Sequence, residues 1–332
     1  MRSSYLDGRD PDSRTRLLPY LQAHGSHCLA HSTLQEGMDF FFCEDLGYLS
    51  YFQARHPILA RNPRKIVISN PVAAPADQRR LLAAFLERET EPIFVQVERP
   101  VGEILADFGM EVNQIGVETD LPLPFSLSGN RRGKLRQWRN KALREGVEVF
   151  EAPMSAMDHS EVRSLCQDWL KRKGGEELRY LSRPLVYADE PGVRCFWARH
   201  AGRLKGLAVF DPMYRNAKII GYYHNMDRLL HDAPGGTSPL IVLTALERFE
   251  AEGLEKLALG MSPMSDIEDD LAANRFMTSI LSVFKRCTFL YPFGGNESHK
   301  RKFDGTRFKV YAASRRNNIS TMIAASLAFG LV

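Results

Sequence analysis

The 332-residue sequence lacks the features that mark metalloproteins, disulfide-stabilised proteins and integral membrane proteins. Its five cysteines are scattered, with no CxxC pair and no cluster of histidine and cysteine, which argues against a zinc site or a disulfide framework and fits a reducing cytosol. No run of about 18 apolar residues is present, so no membrane-spanning helix is expected. The polar first thirteen residues do not have the pattern of a signal peptide. These absences predict a cytoplasmic protein without a metal site.

The charged residues are ordinary in number and uneven in distribution. They make up 25% of the chain and give a formal net charge of +4, which is typical of a soluble globular protein. Residues 131–144 hold seven basic and no acidic residues, and residues 300–316 hold seven basic residues and one acidic residue. Such patches favour a polyanionic partner, either nucleic acid or an anionic membrane surface. A solvated helix face is the alternative for each run.

One pattern of elements occurs twice, about 160 residues apart, with little identity between the copies. In the first copy the predicted hairpin, strand, helix and strand fall at residues 39–52, 65–69, 76–88 and 93–97. In the second copy the predicted hairpin, strand, helix and strand fall at residues 193–210, 218–223, 239–252 and 256–260. The helix follows a proline-containing turn in both copies, so we expect two similar mixed α/β domains in tandem.

The boundary between the predicted domains falls in residues 121–129, which are rich in proline, serine and glycine. The sequence therefore predicts an N-terminal domain over residues 1–125 and a C-terminal catalytic domain over residues 126–332. Helix 131–145 would open the second domain and end before Gly146.

A Pro/Gly-rich turn at residues 232–238 leads directly into the helix of the second copy. The first N–H groups of a helix have no partner within the helix, and the helix dipole makes that end electropositive. Gly236, Thr237 and Ser238 are therefore a candidate cradle for an anion or a carbonyl oxygen. An ordinary connection with no ligand is the alternative.

Five segments of the chain resemble the cytosolic C-terminal domain of bacterial phosphatidylglycerol lysyltransferase, the multiple peptide resistance factor. They occur in the family's order, at residues 39–42, 134–146, 232–237, 259–263 and 300–303, the last leading to Tyr311. The resemblance implies an α/β fold of two tandem GNAT-like mixed-sheet domains, the dual GNAT fold. It also implies transfer of an aminoacyl group from aminoacyl-tRNA to a hydroxyl or an amine, with aminoacyl-tRNA as co-substrate and no cofactor.

The acceptor and the donated amino acid stay open at this point. In the family the acceptor is usually the glycerol head group of phosphatidylglycerol, while similar stand-alone proteins act on small molecules in biosynthetic pathways. Asn225 and Pro239 stand where the family pattern has acidic residues, which favours a neutral amino acid over lysine. The sequence lacks the membrane-spanning half of longer members, so an anionic lipid and a soluble small molecule are both expected acceptors. The apolar tail 319–332 is either a peripheral contact at the inner face of the membrane or a last packed helix.

An aminoacyl ester is already activated, so the enzyme must align the nucleophile, move a proton and stabilise an oxyanion. Candidate catalytic residues combine the helix start with nearby acids: Asp232, Gly236, Thr237, Ser238 and Glu297. Candidate substrate-binding residues lie at the strand ends and beside them: Tyr222, His224, Asn225, Met261, Ser262 and Lys302. Candidate tRNA- or phosphate-binding residues come from the basic runs: Arg132, Arg136, Arg139, Lys300 and Arg301. A capping role for Asp232, a packed His224 and a surface ion pair of Glu297 are the alternatives.

Two other functions fit the same fold. An acyl-CoA-dependent GNAT N-acyltransferase is one, although the pyrophosphate-binding loop Q/R-x-x-G-x-G/A is not found after the strands of the second copy. A non-catalytic module that binds RNA or a membrane is the other.

Overall fold

The computed structural model describes residues 2–56, 60–172, 183–268, 270–275, 278 and 293–316. Within these ranges the chain forms thirteen strands and seven α-helices, and all of the strands belong to one mixed sheet. The elements of the first half are β1 (Ser3–Leu6), α1 (Pro11–His24), β2 (Asp39–Cys43), β3 (Gly47–His56), β4 (Ala60–Ile68), β5 (Val72–Ala73), α2 (Gln78–Leu86), β6 (Ile93–Glu98), α3 (Arg99–Asp107) and β7 (Glu111–Pro122).

The second half has the same order of strand hairpin, strand, helix and strand. Its elements are α4 (Gly133–Arg144), β8 (Glu148–Glu151), α5 (His159–Arg172), β9 (Arg194–His200), β10 (Arg203–Arg215), β11 (Lys218–Leu229), α6 (Thr237–Ala251), β12 (Lys256–Pro263), α7 (Phe293–Arg301) and β13 (Thr306–Ser314). The predicted helices and strands of both copies are present, with ends that differ by a few residues. The predicted tail helix 319–332 lies outside the described residues.

Each half contains one parallel pair of strands joined through a helix. Strand β4 pairs in parallel with β6 through α2, and β11 pairs in parallel with β12 through α6. The remaining neighbours pair antiparallel, in the order β1-β2-β3-β4-β6-β13-β7-β12-β11-β10-β9-β8, with β5 beside β3. This matching pair of topologies confirms the repeat that the sequence predicts, and with it the two GNAT-like halves.

The two halves exchange their last strands. Strand β13, from the end of the chain, lies between β6 and β7, while β7 from the first half pairs with β12 of the second half. The strands before and after the predicted domain boundary at residues 125 and 126 therefore belong to one continuous sheet. The boundary divides the sequence but not the sheet.

The cores follow this exchange. The core under α2 and α3 contains Phe85 together with Tyr311 of β13, and the core under α6 contains Phe249 together with Leu121 of β7. Each of these four side chains is fully buried. Since apolar burial supplies most of the stability of a domain, neither half retains its whole core without a strand from the other.

We predict that a cavity in the first half lowers the stability of the second. Phe85→Ala removes a fully buried ring, a change that costs about 3–5 kcal/mol in typical cores. All three tryptophans lie in the second half, so their fluorescence during urea unfolding reports on that half. We expect their midpoint to fall with Phe85→Ala and to stay within error for Leu143→Ala, whose side chain is exposed on α4. An unchanged tryptophan midpoint in Phe85→Ala would show that the halves unfold independently.

Candidate active site between two strands

Strands β11 and β12 pair over three residues only, Gly221–Tyr223 with Lys256–Ala258. Beyond this point β12 is displaced by an irregularity at Leu259, where Gly260 has a φ of +73°. A Cβ on Gly260 would lie 2.5 Å from the ring of Tyr223, so the approach of the two strands here requires glycine. Past this irregularity the backbone of β12 is available to side chains from other elements, at the usual position of the ligand crevice in an α/β sheet.

Lys300 of α7 fills this opening. Its side chain is 9% exposed, and its ammonium donates a hydrogen bond to the carbonyl oxygen of Met261 at 2.7 Å. Burial lowers the pKa of Lys300 from 10.5 to about 8, and the nearby Cys28 and Glu118 oppose that shift only in part. Lys300 is thus a buried ammonium at neutral pH that titrates close to the physiological range, which is a common property of active-site residues.

Glu118 lies directly opposite Met261 in the antiparallel pairing of β7 with β12, and it is 1% exposed. It accepts a hydrogen bond from the Gln96 amide at 2.7 Å, and the Cys28 thiol donates to it at 3.3 Å. Desolvation raises the pKa of Glu118 in spite of these donors. The carboxyl group therefore couples residues of the first half to the lysine of the second.

His27, Cys28 and Glu118 bring three potential metal ligands within 4.8 Å of one another. However, Nδ1 of His27 accepts a hydrogen bond from the backbone N–H of Leu29 at 3.0 Å. A neutral imidazole then carries its proton on Nε2, which faces Glu118 at 3.7 Å and offers no lone pair to a metal. Burial also raises the pKa of Cys28 well above its ordinary value, so its thiol stays protonated. With His27 and Cys28 protonated in this way, the three side chains are better suited to hydrogen bonding around the Glu118 carboxyl group than to binding a metal ion.

Two histidines complete the opening. The ring of His224 stacks on Phe210 with centroids 5.1 Å apart, and His299 packs near Phe303. Burial lowers the pKa of His224 to about 3 and of His299 to about 4, with Lys300 adding to both shifts. Both rings are therefore neutral at pH 7, and neither Nε2 atom has a hydrogen-bond partner within the described part of the chain.

The start of α6, predicted as an anion cradle, is covered by α4. A Cβ on Gly236 would lie 2.2 Å from the carbonyl oxygen of Trp138. The Thr237 hydroxyl donates to the carbonyl of Pro234, and the Ser238 hydroxyl donates to Asp227. These contacts hold the turn and the helix start against α4.

The two predicted catalytic acids lie in ion pairs. Asp232 is half exposed and pairs with Lys205 at 2.6 Å, and this hydrogen bond lowers the pKa of Asp232. Glu297 pairs with Arg301 and, at 3.6 Å, with Arg307. Both acids thus take part in ion pairs outside the cluster around Lys300.

Some of the predicted substrate-binding residues lie near the opening, and others lie in the core or contact the backbone of Arg183. Met261 borders the opening, and Ser262 is buried at the next position of β12. His224 lies near enough to Lys300 for the charge of the lysine to add to the effect of burial on the pKa of the ring. Tyr222 stacks on Phe249 in the core at 4.5 Å. The Asn225 side chain exchanges hydrogen bonds with the backbone N–H and carbonyl of Arg183, at 3.1 and 3.3 Å.

Of the predicted phosphate-binding residues, Lys300 lies in the interior instead of on a basic surface. Arg132 donates to the carbonyls of Phe303 and Asp304, which joins the two basic runs. Arg136 donates to two carbonyls of the 127–129 loop, Arg139 lies 3.8 Å from Glu247, and Arg301 pairs with Glu297 and Asp266.

Glu118, Gln96, His27 and Cys28 are not among the site residues that the sequence predicts. Glu118 is the one acid of the stretch 112–119, where the other residues are apolar, small or uncharged, and such an isolated acid in a strand was an available signal. Gln96 and the pair His27 and Cys28 gave none, because only long-range pairing brings them to Glu118.

The topology and the site define a dual GNAT-like protein with a buried polar centre where its halves meet. The chain belongs to the family described as phosphatidylglycerol lysyltransferase, C-terminal, whose model matches residues 19–314. That family places the chain among transferases of the aminoacyl type. No protein of curated function matches it in sequence.

Several solved structures share the fold, and three of them are described here by their similarity to this chain. The C-terminal domain assigned to a lysylphosphatidylglycerol synthetase of Agrobacterium fabrum superimposes with a TM-score of 0.76 at 20% identity, over 98% of this chain and 99% of that one. L-PGS from Bacillus licheniformis gives a TM-score of 0.76 at 20% identity, over 98% of each chain. FemX gives a TM-score of 0.56 at 11% identity, over 98% of this chain and 100% of that one. None of the helices in the described ranges is long and apolar enough to cross a membrane.

We predict an alkaline rise in stability that depends on Lys300. Because its pKa is about 8 in the folded protein and the ordinary value for lysine is 10.5, the unfolded chain binds more protons between these two values. Stability should therefore increase with pH over that window, by up to about 3 kcal/mol. In Lys300→Met this contribution should vanish, while Lys302→Met, two residues away, should retain it. Urea unfolding at pH 7 and above pH 9 measures the difference, and parallel curves for wild type and Lys300→Met would contradict the assignment.

Proposed function

We propose that the protein transfers an aminoacyl group from aminoacyl-tRNA to a hydroxyl or an amine of an anionic lipid or a small molecule. The observation that carries this proposal is the ammonium of Lys300, held in the opening between β11 and β12 by the carbonyl of Met261. Membership of the phosphatidylglycerol lysyltransferase family supports the reaction class. Aminoacyl-tRNA serves as co-substrate in this proposal, with no further cofactor.

The reaction needs little covalent assistance from the enzyme. The acceptor oxygen or nitrogen attacks the ester carbonyl, the carbonyl oxygen becomes an oxyanion, and the bond to the tRNA ribose then breaks. The proton of the acceptor finishes on the ribose hydroxyl that leaves. A fixed positive charge in a buried site stabilises such an oxyanion strongly, because the surroundings screen it little. Lys300 is the group that we assign to this role.

Glu118 acts as a positioning residue in this proposal. Its carboxyl group faces the same opening as Lys300, and its negative charge favours the charged form of the lysine. The hydrogen bonds from Gln96 and Cys28 fix the orientation of the carboxyl group. Removal of its charge should therefore lower the pKa of Lys300 further.

A neutral amino acid is the proposed donor residue. The family pattern has a carboxylate at position 225, where this chain has an amide that is already engaged with the backbone of Arg183. That amide offers no negative charge to a cationic side chain. The proposed location is cytoplasmic, with peripheral contact at the inner face of the membrane when the acceptor is a lipid.

The test is a partition assay with labelled aminoacyl-tRNA. We expect label to move from tRNA to the organic phase when phosphatidylglycerol vesicles are present, or to a new small product when a cell extract supplies the acceptor. In Lys300→Met we expect the rate to fall by about 10²–10³, the usual effect of removing one oxyanion donor. Wild-type activity should decline as pH rises through about 8, because Lys300 then loses its charge.

The control for this assay is Arg203→Ala, which removes an exposed charge at the first residue of β10. Its rate should match the wild type. Absence of transfer from every charged tRNA, combined with acyl transfer from an acyl-CoA, would overturn the proposal. Full activity in Lys300→Met would overturn the role of the lysine alone.

A further inference from the structure

Two buried imidazole nitrogens lie near Lys300 without a hydrogen-bond partner. They are the Nε2 atoms of His224 and His299, and neither has a partner among the residues that the structure describes. Buried polar atoms of folded proteins are nearly always hydrogen-bonded, so a partner for these two must come from a ligand or from solvent. Because the charge of Lys300 acts on both rings, one ligand group can serve all three side chains.

His224 lies one residue beyond the point where β11 and β12 separate. Tyr223 is the last residue of β11 that pairs with β12, and its ring packs against Gly260. Met261, whose carbonyl oxygen accepts the hydrogen bond from Lys300, is the residue after Gly260. His224 and the acceptor of the lysine therefore each lie one position past the same contact, on the two strands that separate there.

His299 approaches the same region from α7, where it directly precedes Lys300. The ring of His299 packs near Phe303, with centroids 5.4 Å apart, and the ring of His224 stacks on Phe210 at 5.1 Å. Both phenylalanines are fully buried in the core under α6. The core thus holds both imidazoles in place, as is required of groups that are preorganised for a ligand.

The protonation state of the two rings indicates what they can do. Burial lowers the pKa of His224 to about 3 and that of His299 to about 4, with Lys300 adding to both shifts, so both rings are neutral at pH 7. An imidazole with so low a pKa is a poor general base at that pH. Its N–H group still donates a hydrogen bond, and a neutral imidazole can stabilise negative charge that develops on a carbonyl oxygen.

The Lys300 ammonium limits the ligand to an atom with negative charge. A lysine has three N–H donors, and the carbonyl of Met261 is the one acceptor of Lys300 among the described residues. The positive charge disfavours a metal cation between the two imidazoles. A negatively charged oxygen, in contrast, can accept hydrogen bonds from the ammonium and from both rings.

We propose that His224 and His299 are catalytic residues that donate hydrogen bonds from Nε2 to the oxyanion of the aminoacyl transfer. This inference rests on the proposed function and extends its oxyanion site from one donor group to three. The acceptor's lone pair forms the new bond to the carbonyl carbon, and the electron pair of the C=O π bond moves to the oxygen that these groups bind. When that pair returns, the bond to the ribose oxygen breaks, and this oxygen receives the proton that the acceptor loses. Both imidazoles keep their protons throughout.

The first test combines substitutions with the partition assay. His224→Phe and His299→Phe keep a flat ring for packing and remove the N–H donor. Each should lower kcat by about 10²-fold, the usual effect of losing one oxyanion donor, and should leave KM unchanged, because the hydrogen bond forms only in the transition state.

Two further sets of variants control this result. His224→Gln and His299→Gln restore an N–H donor, so each should recover about tenfold or more of the lost rate. His200→Phe makes the same exchange at the partly exposed last residue of β9 and should behave as the wild type does.

Two analogues of alanyl-adenosine separate transition-state binding from ground-state binding. One carries a phosphonate ester, whose tetrahedral P–O⁻ group replaces the oxyanion, and the other carries a planar amide in place of the ester. The affinity for the phosphonate should fall in each Phe variant by about the factor by which kcat falls. The affinity for the amide should stay unchanged, because an interaction that is specific to the transition state does not contribute to binding of the ground state.

NMR of the protein labelled with ¹⁵N-histidine tests the required protonation state without any transfer reaction. Spectra of the Phe or Gln variants assign the signals of the two rings. Both rings of the wild type should be neutral at pH 7 and carry their proton on Nε2. A proton on Nδ1 of either ring would contradict its assignment as a donor, even if the corresponding Phe variant does not fold.

Three other outcomes would overturn the inference. They are equal kcat values in the wild type and both Phe variants, a raised KM at unchanged kcat, and equal losses of affinity for the two analogues. The first of these would show that the two rings serve only in packing. Failure of the proposed function looks different, because the wild type itself would then transfer no aminoacyl group from any charged tRNA.

Discussion

The antiparallel pairing of β7 with β13 is the contact on which the rest of the structure depends. Strand β7 of the first half also pairs with β12 of the second half, and β13 of the second half also pairs with β6 of the first half. The sheet therefore has no free strand edge between the halves. Glu118 lies on β7 at this junction, opposite Met261. The strand pairing at this junction thus places Glu118, whose carboxyl group is hydrogen-bonded to Gln96 and Cys28 of the first half, opposite a residue of the second half.

Burial of the polar groups around Lys300 costs free energy, and Glu118 and Lys300 differ in how many hydrogen-bond partners offset that cost. Glu118 has two side-chain donors, one of them from Gln96, a non-glycine residue with a φ of 57° at a β-bulge. A bulge redirects a side chain, and here it aims the amide at the carboxyl group. Among the residues that the structure describes, Lys300 has one hydrogen-bond acceptor, the carbonyl of Met261, and burial lowers its pKa. A buried charged group that is not fully hydrogen-bonded within the protein is typical of functional sites. Its remaining donors can interact with a ligand, whereas those of a fully paired group cannot.

Local sequence patterns predicted the elements of this fold well and the exchange of strands not at all. The period of apolar residues and the turns at 70–75 and 232–238 identify α2, α6 and the strands around them, since those signals lie within a few residues of one another. The position of β13 depends on pairing with strands about 200 residues earlier, and no local pattern encodes it. His224 and Met261, at or beside strand ends, were predicted as substrate-binding residues from local pattern, whereas the contacts of Glu118 with Gln96 and His27 follow only from the topology.

The basic runs show why charge in a sequence is a weak guide to position. Residues 300–302 read as one cluster of three positive charges, yet Lys300 is buried, Arg301 is paired with acids and Lys302 lines a groove. Successive residues at the end of a helix point about 100° apart, so three neighbours meet three environments. Arginine suits position 301 because its planar guanidinium group can bind several acceptors at once. Lysine suits positions 300 and 302 because its ammonium is a compact point charge. A short run can therefore supply an interior ammonium, an ion-paired arginine and a groove-lining lysine within three positions.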